Sequence, residues 1–359
     1  MNISNLNSKV ITKLNNSLLS APFTIIDVGC SGGVDMGWKF LNDNCNIFAI
    51  DPQESEIKRL SKNKTLNNLT YEAYWIKDTK KKADCKCEND KYFNPHDQWH
   101  RSSASLGSKI KKNVFQQSNP VNENLTDAEI SIDDYVKIKN LEYVDFIKID
   151  CDGGDLEALK SSTDTLSSKK VKAVLVEVNW FGGIDENSNT YHNIDRFLKS
   201  YAFQPFSIEI NTFSKAALPM PYKYSIFAQT HGGAPVQGDV LFIRDCASSE
   251  FEKVIKENWG PEDYLKTVCI FVMFGLLDCA AEILVNKRYL LEKIIDIDNL
   301  LDLITNEAYP EEASYKEFMQ KFNDDPSFLF PNDLKNKIYK VAPKASKKIL
   351  DLASKIFNH

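Results

Sequence analysis

FTIIDVGCSGG at residues 23–33 and VDFIKIDCDGGDLEALK at residues 144–160 follow one plan. Each opens on a short apolar run, Ile25-Ile26 in the first and Phe146-Ile147 in the second, and each ends in an acid followed by glycines. A buried parallel strand that breaks into a glycine-rich turn has this pattern. In open α/β sheets, ligands gather at such carboxyl strand ends. The two stretches therefore mark one pocket above neighbouring strands.

The flanking sequence extends the same plan. Strands are expected at 25–28, 47–50 and 69–76, with helical segments between them; residues 55–62 place Ile57 and Leu60 among charges, as a surface helix does. Further strands are expected at 146–149, 171–178, 206–210 and 240–243, with a helix at 194–201. The turn-rich run THGGAPVQG at 230–238 predicts a hairpin before the last strand. Strands alternating with helices make a parallel sheet. The expected fold is thus α/β, a doubly wound seven-stranded sheet with an antiparallel edge strand, followed by a helical C-terminal region. The divisions are a lead-in helix at 1–20, a main domain at 21–246 with a long polar insertion at 77–125, and helical residues 247–359.

With 359 residues and 43% hydrophobic content the chain can build a sizeable core. A formal charge of −6 argues against a broad nucleic-acid-binding surface. The polar start MNISNLNSKV lacks the apolar stretch of a secretory leader, and the eight cysteines fall largely in apolar segments. Together they point to a reduced, cytoplasmic protein. Cys85 and Cys87 sit in a lysine-rich loop without metal-ligand spacing around them. VCIFVMFGLL at 268–277 is too short to span a bilayer before Asp278 and Glu282, and reads as a buried helix. Residues 338–357 set Ile349, Leu352, Ala353 and Ile356 among lysines. Such a helix packs on its own protein, touches an anionic membrane surface or docks a partner, a second copy of the chain included.

At the first strand end, Asp27, Gly29, Ser31 and Gly33 form a DxGxSxG frame. Glycines admit a ligand close to the backbone, and the amides of the turn suit polar or anionic groups. Asp51 follows the second strand, 24 residues after Asp27. Acids near this offset accept hydrogen bonds from ribose hydroxyls. A dinucleotide fingerprint starting at Gly29 would need glycine at both Ser31 and Val34, and neither is present. S-adenosylmethionine (SAM) has no pyrophosphate, and its ammonium suits a carboxylate such as Asp27.

FIKIDCDGGDLEALK resembles the motif of the FkbM family of SAM-dependent methyltransferases, with Lys148, Asp150, Gly153 and Leu159 at its positions and Asp155 where the family usually carries Glu. DVGCSGGVDMGWKF with Trp38, Arg101-Ser102-Ser103, QGDVLFIRD at 237–245 and the helical TVCIFVMFGLLDCAAEIL are similar to a subgroup with a helical extension, so the likeness covers about residues 20–290. The resemblance implies a class I methyltransferase fold, Rossmann-like, and O-methylation, often of sugar hydroxyls. The candidate cofactor-binding residues are Asp27, Gly29, Cys30, Ser31, Gly33, Asp51, Pro52 and Ser103.

Methyl transfer from a sulfonium needs an aligned hydroxyl and a place for its proton. Asp150 ends the fourth strand and is a candidate to orient the hydroxyl, act as base or hold a divalent cation. Lys148 shares its strand face and serves as a base or an ion-pair partner. Glu177, late in an apolar strand, contacts substrate or pairs with Lys148. His100, next to Arg101 and Ser102, is the best placed loop histidine. The expected acceptor is a small-molecule or glycan hydroxyl. The rival readings are a methyltransferase-fold scaffold and a methyltransferase for a non-sugar small molecule.

Overall fold

A computed structural model describes residues 8–17, 22–64, 66–78, 125–151, 153–213, 229–255, 259–310 and 314–325. A lead-in helix, Ser8–Ser17, precedes β1 (Phe23–Val28), in which all six residues are buried. Then follow β2 (Cys45–Ile50), β3 (Leu69–Glu72), β4 (Trp75–Ile76), β5 (Glu129–Ile130), β6 (Phe146–Ile149) and β7 (Ala173–Asn179). The last strands are β8 (Gln204–Ile208), β9 (Asn211–Phe213), β10 (Gln229–Thr230) and β11 (Ala234–Ile243). The main sheet runs β10-β9-β11-β7-β6-β1-β2-β3, with β8 also pairing β11. Strands β3, β2, β1, β6 and β7 are mutually parallel, and β11 runs antiparallel to β7.

Strand order reverses at β1, which has β2 on one side and β6 on the other. Chain connections leave on opposite sides there, and a crevice opens above the strand ends. The doubly wound α/β architecture is therefore the one expected. The antiparallel β11 is not the edge strand: β7 lies on one side of it, and β8 and β9 pair with the other. The turn at 231–233 does not make a simple hairpin: β10 and β11 flank β9 instead of each other. The expected strand at 69–76 is broken as well. Leu69–Glu72 pairs with β2, whereas Trp75–Ile76 forms a separate ladder with β5. The connection from β1 to β2 is 3-10 helical, Met36–Asn44, begun by Asp35 accepting from the Gly37 N–H at 2.7 Å. Gly37, Asn42, Asp43 and Asn44 are poor α-helix formers, which suits the tighter, shorter form.

Alternation along the strands separates two faces. Ile26, Val28, Ile147, Ile149, Val174 and Val176 point to one side and pack with Leu156, Leu159, Ile194 and Leu198 in the larger core. The opposite side carries Phe23 and Ile25 on β1 and Phe146 on β6, all buried, with Trp38 edge-on to Phe146 at 5.0 Å and Phe274 stacked on it at 6.0 Å.

The helix Pro261–Met273 buries every residue from Tyr264 to Met273, as a helix packed inside a protein does. Among the described residues no helix is long and apolar enough to cross a membrane. Gly275, with φ +77°, stops this helix: the Leu276 N–H reaches the Phe271 carbonyl at 2.8 Å and the Gly275 N–H reaches that of Val272 at 3.1 Å. Asp145 ties the helix to the amino ends of the strands. Fully buried, it accepts from Lys172 at 2.6 Å, Lys266 at 2.7 Å and the Thr24 N–H at 2.9 Å. A buried charge is tolerated when it is paired and hydrogen-bonded on all sides in this way.

One compact unit spans Met1–Leu300 and a second Leu301–His359. The helical residues that begin near 247 thus stay with the sheet as far as 300. In the second unit, the helix Tyr315–Asp324 starts at Ser314, whose hydroxyl accepts from the Glu317 N–H at 3.2 Å, and Phe318 packs on Tyr309 at 5.0 Å. The insertion at 79–124 and the basic stretch at 338–357 lie outside the described residues.

Candidate functional site

The glycine turn after β1 is locked to both neighbouring strand ends. The Gly29 N–H donates to the Ile50 carbonyl at 2.8 Å and the Cys30 N–H to the same oxygen at 3.3 Å. Gly29 has φ +80°, and a Cβ there would lie 1.7 Å from the Asp150 carbonyl oxygen. Glycine is required on both counts. The turn closes with the Gly33 N–H on the Cys30 carbonyl at 2.9 Å. The Gly32 N–H donates to Glu56 at 3.0 Å, which joins the turn to the helix Glu54–Lys62. Asp51 is buried at the end of β2 and accepts from the Gln53 N–H at 2.9 Å. The Pro52 carbonyl accepts from the Thr126 N–H at 2.9 Å, so the chain re-enters beside this strand end.

Asp27 and Lys148 are register partners on β1 and β6. The Lys148 ammonium lies 3.3 Å from Asp27 Oδ1 and 3.3 Å from Asp150 Oδ2. Asp27 is 1% exposed, and its second oxygen, Oδ2, is buried without a hydrogen-bond partner. Burial pushes the Asp27 carboxyl up from 3.8 to about 6, against the opposing pull of Lys148. Burial alone would lower the Lys148 amine, but Asp27 and Asp150 more than reverse this and raise it. At neutral pH Lys148 is therefore an ammonium that orients carboxylates, and it is not a base. Asp150 keeps 44% of its side chain exposed at the mouth. Cys30 is buried, and its thiol is pushed up by that burial and by the nearby Asp27 and Asp51 carboxylates. It is an inert wall of the turn.

A cavity of about 220 Å³ sits on this face. Of the sequence-derived candidates, Gly29, Ser31, Gly33, Lys148 and Asp150 line it. Asp51, Pro52 and Cys30 support the turn without lining the cavity. Glu177 is half-buried on β7, directly opposite Asp239 on β11. Sequence reasoning missed Asp35, Asp239 and Phe274, and left Trp38 as a motif residue without a role, although all four line the cavity. Asp239 was within reach of a strand-alternation count back from Leu241. Phe274 had no local signal, because only the packing of the apolar helix brings it there.

Asp155 is buried and completes the turn after β6. It accepts from the Cys151 N–H at 2.8 Å, the Gly153 N–H at 3.1 Å and Asn189 at 2.9 Å. The shorter acid suits this inward wrap, and the longer Glu157 points to solvent and does not replace it. His100 and Ser103 lie outside the described residues. Among the described residues no group of three or more His, Cys, Asp or Glu is arranged to hold a metal. At Asp150 an ammonium already occupies the place of a cation.

The raised Asp27 carboxyl has a consequence for stability. The unfolded chain loses this proton near 3.8 and the folded chain near 6. Between those values the folded state holds more protons, so the group's contribution is full below about pH 4 and is lost as pH rises through 6. Asp27→Asn is expected to remove that slope. Wild-type stability relative to the variant should fall by on the order of 3 kcal/mol between pH 4 and pH 7. Denaturant titrations at the two pH values measure it, and parallel pH profiles would refute the burial account.

Residues 33–205 match the family model of the methyltransferase FkbM domain. That span holds Asp51, Lys148, Asp150 and Glu177 and starts at the last glycine of the first turn. No curated protein matches the chain. Among solved structures the chain is similar to precorrin-6y C5,15-methyltransferase from Geobacter metallireducens GS-15, at 12% identity over 68% of this chain and 93% of that one, TM-score 0.29. It is also similar to the N-methyltransferase NodS from Bradyrhizobium japonicum WM9 in complex with S-adenosyl-L-homocysteine, at 12% identity over 67% and 90%, TM-score 0.28. A third is TrmK from M. capricolum with S-adenosyl-homocysteine, at 10% identity over 88% and 96%, TM-score 0.27.

Proposed function

We infer that this chain, a member of the FkbM methyltransferase family through residues 33–205, transfers the methyl group of SAM to a hydroxyl of a sugar or glycan intermediate. The observation that carries the donor assignment is the Asp27 Oδ2 atom. It is buried and unpartnered two residues before Gly29, whose turn lines the cavity. An orphaned carboxylate oxygen there suits the ammonium of the amino-acid end, directly or through a water. Gly29, Ser31 and Gly33 line the cavity, and Asp51 at the end of β2 suits the ribose hydroxyls. These residues fit the donor.

When bound, SAM supplies an electrophilic methyl group on a positive sulfur, whose bonding electrons return to sulfur as the methyl leaves. The residues of the chain do the rest. Lys148 holds Asp27 and Asp150 in fixed relation across adjacent strands. Asp150, at the mouth, accepts the hydrogen bond of the acceptor hydroxyl and takes its proton as the oxygen bonds to the methyl carbon. Trp38, Leu175 and Phe274 form an apolar wall that limits water near that oxygen.

Titration calorimetry with SAM, S-adenosylhomocysteine and NAD tests the donor assignment. Both sulfur compounds are expected to bind in the micromolar range, with Asp27→Asn weakening SAM by about tenfold or more through loss of a charge-assisted contact. Heat with NAD alone would overturn it.

A further inference from the structure

The glycine turn after β1 has few amides left for a ligand. The Gly29 and Cys30 N–H groups go to the Ile50 carbonyl, that of Gly33 to the Cys30 carbonyl and that of Gly32 to Glu56. Turns of this kind commonly offer such groups to the charged oxygens of a ligand. Here the fold itself uses them. Ser31 lines the cavity too but is exposed to water. Lys148 lines it as well, and already faces Asp27 and Asp150 at 3.3 Å each. An anionic group held beside the turn needs a donor from another element.

Trp38 supplies one. It stands in the 3-10 segment Met36–Asn44, lines the cavity with Gly29, Ser31 and Gly33, and is 2% exposed. Its indole Nε1–H is buried with no hydrogen-bond partner. An indole nitrogen donates and does not accept, so only an acceptor atom satisfies it. A buried donor left unpaired is costly, and native folds seldom keep one without a reason. Packing holds the ring in place, edge-on to Phe146 at 5.0 Å, with Phe274 stacked on Phe146 at 6.0 Å. Asp27 carries the opposite defect. Its Oδ2 is a buried acceptor without a donor, two residues before Gly29. An orphaned acceptor thus precedes the turn in the chain and an orphaned donor follows it. Together they match a ligand end that carries an ammonium and a carboxylate on one carbon.

We propose that Trp38 reads the α-carboxylate of SAM: its indole N–H donates to that carboxylate while Asp27 takes the neighbouring α-ammonium. The inference rests on the donor assignment above and extends it to a residue outside the glycine turn. A hydrogen bond to a charged oxygen is about twice as strong as one between neutral groups. The site therefore selects an intact amino-acid end over the nucleoside alone.

The test titrates the full chain with S-adenosylhomocysteine, with its decarboxylated analogue, which lacks only the carboxylate, and with methylthioadenosine, which lacks the whole amino-acid end. The wild type is expected to bind S-adenosylhomocysteine about tenfold more tightly than the decarboxylated analogue. Trp38→Phe keeps an aromatic ring beside Phe146 and removes the N–H. It is expected to lose about tenfold for S-adenosylhomocysteine and less than about threefold for the other two ligands. In wild-type protein isotopically labelled at its indole nitrogens, one of the five tryptophan signals is expected to move downfield with S-adenosylhomocysteine and to stay in place with the decarboxylated analogue. Equal losses for all three ligands in Trp38→Phe would make Trp38 a wall only and overturn this inference alone. So would a wild type that binds S-adenosylhomocysteine and its decarboxylated analogue alike, or in which no indole signal separates them. Failure of all three compounds to bind would overturn the donor assignment and this inference with it. The wild-type titrations and spectra decide the matter even if Trp38→Phe does not fold.

Discussion

Gly29→Ala is expected to abolish SAM binding and to lower the melting temperature by roughly 10 °C. The added Cβ would lie 1.7 Å from the Asp150 carbonyl oxygen, about half an ordinary contact distance. That oxygen is backbone, so no rotamer change relieves the overlap. The Gly29 N–H is also bonded to the Ile50 carbonyl at 2.8 Å, so the turn cannot back away without losing its tie to β2. The residue must also hold φ at +80°. A left-handed conformation alone costs an alanine about 1–2 kcal/mol. Forced separation of two strand ends brings the total to about 4 kcal/mol or more, in the class of the most damaging substitutions. For a unit of this size each kcal/mol is worth about 2–4 °C. Gly32→Ala is the internal control. Gly32 has a similar φ of +83°, but a Cβ there meets nothing within 4 Å. It should cost only the conformational term of about 1–2 kcal/mol and leave measurable SAM binding. Thermal melts and calorimetry on the pair separate steric closure of the site from backbone strain. Equal effects of the two substitutions would refute the steric argument.

This contrast also explains what could be read in the sequence. Asp27, Gly29, Lys148 and Asp150 were legible because their chemistry is local. A strand that ends in an acid and glycines announces its turn within a few residues, and the two-residue interval from Lys148 to Asp150 fixes a shared face. Asp239 and Trp38 were less legible because partners distant in sequence place them. Asp239 reaches the cavity only because β11 enters antiparallel between β7 and β8, and Trp38 because the 3-10 segment sets its ring against Phe146. The strand at 69–76 was overextended for a related reason. Its residues have the right propensity throughout, yet β3 lies at the sheet edge and Trp75–Ile76 finds its partner in β5 instead. Propensity describes a segment, whereas pairing is decided by what lies alongside it.

The electrostatics of the site follow from the same topology. Two parallel strands bring Asp27 and Lys148 into register, and Asp150 follows two residues after Lys148, just past the end of β6. The ammonium then serves two carboxylates of different character, one buried and one at the mouth. On the proposed reading, the stability lost by burying Asp27 is the cost of presenting a dry carboxylate to a cationic donor. A substitution that recovers this stability should therefore lose the donor, the usual exchange at a functional site.

Asp150→Asn is expected to lower methyl transfer by about a thousandfold while SAM still binds, as loss of a positioned base does. The amide keeps the size of the side chain but gives up its charge and its capacity to take a proton. With 44% of the Asp150 side chain exposed, the exchange should change stability by less than about 1 kcal/mol. Lys148 keeps its bond to Asp27 at 3.3 Å, so the cradle persists. The variant also carries a second readout that a merely structural role would not move. The Asp150 charge helps to raise the Asp27 carboxyl, so its removal should shift the pH midpoint of SAM binding downward. Single-turnover transfer of labelled methyl from SAM into a glycan extract measures the first effect, and calorimetry across pH measures the second. If Asp150→Asn keeps more than a tenth of the wild-type transfer rate, the proton goes elsewhere. If the transfer rate collapses with an unshifted binding midpoint, Asp150 acts on the acceptor without the coupling to Asp27 that Lys148 is argued to maintain.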